Sequence, residues 1–434
     1  MTAPAPEGLG LTAAQEPVWL AQRLAPTNPH YNAAEYIEIR GPLDVPALEA
    51  AVRATVTEAD ALNMRFVEHQ GRLTQHPRPA GNWPFPVVDL RAEPDPLHAA
   101  ERWMAEDLDR LVDLTIGPVF GHALLVLTPE HHLWYHRCHH IALDGYGFFL
   151  IAQRVAQRYS GLGRSGRWFG TLREVVADDH AYQLSPRREV AREFWRARFA
   201  DHDHRSVASF SDQVTVPSGH VRRHRTELPA EVRTGLRRLA GSAGINWADL
   251  VLAVVARQLH RRTGATEVVL GWVVMGRLGT PAARTPAMVT NIVPMRITVP
   301  GEDLLDIARS VADEQRAVHP HVRYRGEHLR RDLRLLGGAR RLFGPVVNVL
   351  PFDYDLKFGA SRGDATNVST GAQAIEDIVI NLHVRADRAL DLDLDANPAC
   401  YDQRELAALA DGLAAALVEA AQTPPPEEGQ AHDG

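Results

Sequence analysis

Cysteine and lysine are nearly missing from this 434-residue chain: it has two cysteines, Cys138 and Cys400, and one lysine, Lys357. Two thiols cannot build a disulfide framework or a four-thiolate zinc site. The lysine deficit, beside abundant arginine and alanine, reflects coding composition more than function. No apolar run approaches the roughly 20 residues that a membrane-crossing helix needs. The first ten residues lack the basic region and apolar stretch of a secretory signal, so a soluble, cytoplasmic protein is expected. A formal net charge of −7 supplies no basic excess for binding nucleic acid. No Gly-x-Ser-x-Gly elbow is present, which counts against a hydrolase. What remains is ordinary globular composition, 45% hydrophobic and 23% charged, in a chain long enough for two domains.

Against that background one stretch stands out, His139-His140-Ile141-Ala142-Leu143-Asp144-Gly145, which follows the apolar-aromatic run Leu133-Trp134-Tyr135. Imidazole is the side chain best suited to moving protons near neutral pH. Three readings of the histidine pair are open: a catalytic base, two structural histidines, or metal ligands. Adjacent residues on a strand point to opposite faces, so a metal would need ligands from elsewhere, and no metal site is expected. The same alternation leaves one histidine, His140, to face a cavity and makes His139 structural. Asp144 is either a second acid/base group or a turn residue. If buried it needs a cationic partner, and Arg277, ending the apolar run Val268–Val274 in the other half of the chain, is the candidate.

The hydrophobic pattern places helices and strands along the whole chain. Helices are expected over Thr12–Leu24, with Thr12 as cap, and over Asp44–Thr57, Ala99–Leu111 and Phe148–Tyr159. Others fall at Glu189–Phe199, Ala230–Gly241, Trp247–Arg262 and Tyr401–Ala421. Leu62–Val67 and Arg72–Gln75 read as a hairpin around His69-Gln70-Gly71. Tyr36–Ile39, Val119–Leu127, His131–Arg137, Val268–Val274, Val346–Phe352, Ile375–Val384 and Leu390–Leu394 read as strands. The expected division is a first subdomain over 1–180, a second over 181–422, and a Pro- and Glu-rich tail or linker over 423–434.

Several segments, in order, resemble the motifs of condensation domains of nonribosomal peptide synthetases, whose signature is HHxxxDG. Thr12-Ala13-Ala14-Gln15 through Trp19 is similar to their opening motif, and Asp60–Phe66 to a degenerate second. Asp178-Asp179-His180-Ala181-Tyr182 resembles the fourth motif and Met288–Arg296 the fifth. Arg323–Leu329 stands where the sixth belongs, without its usual form, and Gly344–Val349 is similar to the seventh. Val274–Gly279, Arg323–Leu329, Leu342–Tyr354 and Tyr401–Glu405 are particularly like the condensation domain of enterobactin synthetase, which joins an aryl acid to serine.

The resemblance implies an α/β fold of two subdomains, each like chloramphenicol acetyltransferase, arranged as a V with a central tunnel. It implies amide-bond formation between a carrier-bound acyl, aryl or aminoacyl thioester and a carrier-bound aminoacyl acceptor, in siderophore or lipopeptide biosynthesis. No cofactor is implied on the chain itself, because substrates ride on the phosphopantetheine of donor and acceptor carrier proteins. A downstream adenylation domain is a further expected partner. By the same resemblance the catalytic set is His140, Asp144 and Gly145. His140 acts as base or as positioner of the amine, and Gly145 leaves room for the thioester. His139 and Arg277 support the site, Arg277 by pairing with Asp144, and Asn348 contacts substrate. Rival readings are a free-standing acyltransferase with a soluble acceptor, an epimerisation domain, and a non-catalytic recruitment domain.

Overall fold

Strand His131–His139 is buried along eight of its nine residues, and this explains why Leu133-Trp134-Tyr135 shows no polar alternation: both faces of its sheet are covered. The computed structural model describes residues 8–78, 81–162, 167–205, 207–213, 217–218, 220–335, 340–351, 354–369 and 375–424. These fall into two compact units. The first takes residues 1–190, 274–291 and 352–374, and the second takes 191–273, 292–351 and 375–434. A single cut near residue 180 therefore does not divide them. Two later segments return to the first unit, and one of them carries Arg277.

In the first unit six strands lie in the order Leu356–Phe358, Ser361–Asn367, Asn32–Arg40, His131–His139, Phe120–Thr128, Val87–Asp89. All pairs are antiparallel except the last, which is parallel. Asn32 stands opposite His139, and His122 opposite His136. Helix Gly145–Tyr159 covers one face, where Phe148, Ile151 and Val155 pack with Ile37, Trp134 and Phe358. Helix Pro96–Leu108 covers the other, with Ala100 and Met104 against Leu125, Leu133 and Tyr135. The expected hairpin is present as Met64–His69 and Arg72–Pro77. Its turn residues Gln70 and Gly71 have φ of 50° and 74°, the pair of left-handed conformations that a tight two-residue turn requires.

One buried carboxylate fastens helix Gly145–Tyr159 to its neighbours. Glu58, closing helix Val45–Glu58, accepts from Arg154 Nε at 3.1 Å, Arg158 Nη2 at 2.6 Å and the Phe169 N–H at 2.9 Å, and also from the Trp168 N–H. Burial works against ionisation, but Arg158, the two backbone donors and Arg154 outweigh it and hold the carboxyl at about 2. The unfolded chain thus binds this proton more readily than the folded one. The stabilisation is complete above the ordinary value of 4.5 and is lost as pH falls from there towards 2. Glu58→Gln is expected to cost about 1–3 kcal/mol near neutrality. Thermal unfolding of native and variant chains across that acid range should show the difference shrinking with pH; a constant difference would contradict it.

The second unit holds another six-stranded sheet, ordered Asn291–Thr298, Glu267–Val274, Val346–Leu350, Ile378–Val384, Leu390–Ala396, Arg222–Leu228. Val346–Leu350 runs parallel to both of its neighbours. In helix Trp247–Thr263 the run Leu250–Ala256 is buried without a break. Helices Ala230–Ser242, Leu304–Val318, Gly326–Asp332 and Gln403–Gln422 also belong to the unit, as does most of Pro186–Arg198. Of the expected tail, residues 425–434 lie outside the described residues, as does Phe352 of the strand expected to end there. Among the described residues no single helix is long and apolar enough to cross a membrane.

Candidate active site

The histidine strand ends where its pairing does. The His139 N–H donates to Val119 O and the His140 N–H to Tyr31 O, each at 2.7 Å. The chain then turns, with Ala142 N–H donating to His139 O at 2.9 Å, and enters helix Gly145–Tyr159 with Asp144 as its N-cap. The Asp-Gly step is therefore a helix cap and not a free turn, and the helix begins three residues before the expected Phe148.

The two histidines differ in kind. His139 is 2% exposed. Its Nδ1 accepts from the Ile141 N–H at 3.2 Å, so its proton sits on Nε2 and is donated to Gln22 Oε1 at 3.1 Å. Burial, then the charges of His140 and Arg137, hold its pKa down at about 3. It is a neutral ring with both nitrogens engaged. His140 is half-buried, and its Nδ1 lies 2.5 Å from Leu143 O. A carbonyl can only accept, so Nδ1 carries the proton, and the neutral ring presents an unprotonated Nε2.

Asp144 is 1% exposed and surrounded by donors. Arg277 Nη2 donates to Oδ1 at 2.6 Å and the Gly147 N–H at 3.0 Å. Oδ2 accepts the N–H groups of Val289 and Thr290, both at 3.1 Å, and the Thr290 hydroxyl at 2.9 Å. Burial raises the carboxyl's pKa, but Arg277, the Gly147 and Val289 N–H groups and the Thr290 hydroxyl prevail and hold it below the usual carboxylate range. Five donors leave this group no room to exchange a proton, so the acid/base alternative for Asp144 falls. Arg277, 3% exposed, also donates to Ala282 O at 2.5 Å, Thr285 O at 3.0 Å and Ala287 O at 2.8 Å. Its guanidinium lies 4.9 Å from the Tyr146 ring centroid.

Arg277 thus orders the loop over residues 282–290 and ties it to Asp144. It does so within one unit, not across the two halves of the chain as expected. Gly147 leaves room for the Leu143 side chain: a Cβ there would meet Leu143 Cδ2 at 3.0 Å and Leu143 Cβ at 3.3 Å. Gly145, the first residue of the helix, is exposed. Asn348 belongs to the second unit, where its Nδ2 donates to Asn381 Oδ1 at 2.9 Å.

Other segments singled out in the sequence lie around the same loop. Gln15 Nε2 donates to Ile141 O at 3.1 Å. Asp179 Oδ2 accepts the Ala13 N–H at 2.8 Å, and His180 Nε2 lies 2.8 Å from Leu11 O, so the first and fourth motif segments are joined. The contributions of Gln22, Tyr31, Val289 and Thr290 were not anticipated. Thr290 lies inside the fifth motif segment, and that placement was the only available signal for it. Among the described residues no three of His, Cys, Asp and Glu converge as metal ligands would.

The family model described as Condensation domain matches residues 7–431. The chain is 45% identical over 423 residues to an isonitrile lipopeptide synthase of Streptomyces coeruleorubidus, covering 95% of this chain and 28% of that protein. It is 29% identical over 425 residues to enterobactin synthase component F of Escherichia coli, covering 96% of this chain and 32% of that one. The chain thus spans about a third or less of the length of these curated relatives. Among solved structures, a variant of the starter condensation domain of rhizomide synthetase in complex with C8-CoA superposes with a TM-score of 0.86 at 34% identity, over 96% of this chain and 95% of that one. The mixed sheets flanked by helices, the saturated Asp144–Arg277 pair and a family match along almost the whole chain converge: this chain belongs to the condensation domains of nonribosomal peptide synthetases.

Proposed function

We propose that this chain joins a carrier-bound fatty acyl thioester to the amine of a carrier-bound amino acid, with His140 at the reacting centre. The amine nitrogen attacks the thioester carbonyl, the new C–N bond forms and the C–S bond breaks. The amine proton leaves through His140 Nε2, and the donor carrier departs as its free phosphopantetheine thiol. The observation that carries this reading is the tautomer of His140, whose Nδ1–H is held by Leu143 O so that Nε2 is left as the acceptor. A thioester is already activated, so alignment on the two carriers can supply effective molarities on the order of 10⁵–10⁸ M. Proton removal adds typically about 10²–10⁴-fold. The role proposed for Gly145 is to leave room for the thioester, and that for Asn348 is to contact substrate. A neighbouring adenylation domain would load the acceptor.

The acyl donor is preferred because the relative at 45% identity is named a lipopeptide synthase and a structural neighbour carries C8-CoA. An aryl donor in siderophore synthesis is the second reading, favoured by the similarity to enterobactin synthase component F. The test is to present octanoyl, dihydroxybenzoyl and aminoacyl donors on a carrier, with an aminoacyl acceptor carrier, and to follow the joined product by intact-protein mass. Octanoyl should be used at least about tenfold faster than the others, the discrimination that a few apolar contacts give. Preference for dihydroxybenzoyl would establish the siderophore reading. Retained carrier binding without product from any donor would establish recruitment.

A further inference from the structure

Strand Leu390–Ala396 reads Leu-Asp-Leu-Asp-Leu-Asp-Ala and would pass for a half-exposed edge, yet all seven residues are buried. The three aspartates share one face and need compensation there. Asp395 obtains it from the neighbouring strand, where Arg223 donates to both of its oxygens, Nε to Oδ1 and Nη2 to Oδ2, each at 2.7 Å. Arg225 grips Asp393 in the same two-point way, at 2.6 and 2.8 Å. On the other side of Asp395 stands Asn381, whose Nδ2 donates to Asp395 Oδ2 at 3.2 Å. Asn381 in turn lies directly opposite Asn348 on the parallel strand Val346–Leu350.

The order of these groups fixes the direction of every amide. A guanidinium keeps its proton and only donates. Burial pushes the Asp395 carboxyl up, but with an arginine donating to each oxygen it is the accepting partner. Asn381 must then turn its NH₂ towards Asp395, since the flipped amide would set oxygen against oxygen in a site where Asn381 is only 9% exposed. That leaves Asn381 Oδ1 facing Asn348, which must offer its own NH₂, as the 2.9 Å contact records. Asn348 Oδ1 is therefore turned away from the relay. Among the described residues no group donates to it, and Asn348 is only half-buried.

We infer that Arg223, Asp395 and Asn381 form a relay that locks the Asn348 amide with its oxygen outward, making it a hydrogen-bond acceptor for an N–H of the carrier-bound substrate. The inference rests on the proposed role of Asn348 as a substrate contact and deepens it. A free amide could offer either an oxygen or an NH₂; the relay removes that choice. Arg223, Asp395 and Asn381 are positioning residues, since none needs to touch substrate. Two N–H groups fit the description, the attacking amine and an amide of the pantetheine arm.

A double-mutant cycle on product formation tests this. Asn348→Ala should lower kcat/KM about tenfold, the worth of one hydrogen bond. Asn381→Leu, which keeps Asn348 but frees its amide, should lower it about fivefold. The double variant should fall about tenfold and not about fiftyfold, because the relay has nothing left to orient. If Asn381→Leu does not fold, Arg223→Gln at the outer edge of the sheet takes its place, with a loss that likewise vanishes in the Asn348→Ala background. Repeating the Asn348→Ala measurement with an aminoacyl alkyl thioester lacking amides separates the two sources. A persisting penalty identifies the amine, and a vanished one the pantetheine amide. Additive losses, or an Asn381→Leu chain with native kcat/KM, would overturn the relay while leaving the functional reading intact. Absence of product from the native chain would overturn both.

Discussion

His140→Ala should form the amide about 10²–10⁴ times more slowly than the native chain, with carrier binding and folding retained. The size of the loss separates the two roles open to the ring. A hydrogen-bond partner that only positions the amine contributes about 0.5–1.5 kcal/mol, roughly tenfold. A base that takes its proton contributes about 3–5 kcal/mol. The geometry favours the larger value, because the Leu143 carbonyl holds Nδ1–H, so that the neutral ring keeps Nε2 as its acceptor. Partial rescue of His140→Ala by added imidazole, with kcat and not KM restored, would identify proton transfer. A loss of only tenfold without rescue would assign positioning, and native activity would remove His140 from the mechanism. His139→Ala serves as the contrast. With both ring nitrogens engaged in the interior, its cost should appear in thermal unfolding.

How much of this was legible in the sequence depends on where the chemistry resides. His140, His139 and the Asp144–Arg277 pairing could be read because side chains carry them: two imidazoles on a strand end, and a carboxylate that requires a cation if buried. The donors that complete the pocket, the N–H groups of Val289 and Thr290, leave no such trace, since every residue but proline has one. The return of residues 274–291 and 352–374 to the first unit was equally hidden. Ser361–Asn367 pairs with Asn32–Arg40 along its whole length, yet its sequence, Ser-Arg-Gly-Asp-Ala-Thr-Asn, has no apolar alternation to announce a strand. Arg222–Leu228 is hidden for the same reason, and with it the two arginines that pair with the buried Asp393 and Asp395. Helix Leu304–Val318 is a different case. Leu304, Ile307, Ala308 and Val311 repeat at helical spacing behind the Asp303 cap, so that element is readable in the sequence.

Removing either partner of the Asp144–Arg277 pair should destabilise the first unit by about 3–5 kcal/mol, because each deletion strands a buried charge. The two losses should differ in character. Arg277→Ala leaves Asp144 with four donors, but it also leaves the carbonyls of Ala282, Thr285 and Ala287 without the guanidinium that gathers them. The loop over 282–290 should therefore loosen, and with it Val289 and Thr290. Arg277→Lys should not rescue, since a single ammonium cannot replace a planar fork serving four acceptors. Asp144→Asn keeps the shape, but its NH₂ must face either Arg277 and the Gly147 N–H or the donors of Val289 and Thr290, so one set of donors meets another. Activity should fall with stability in every case, because Leu143, whose carbonyl holds His140, immediately precedes Asp144. The combined Asp144→Ala/Arg277→Ala chain should lose less than the sum of the single losses, by about 0.5–3 kcal/mol, since the second deletion removes the charge that the first exposed. Thermal unfolding and the condensation rate of the four chains measure this cycle. Additive losses would mean that the two charges act independently, each satisfied by the backbone groups around it, and that the ion pair is not what holds the histidine loop in place.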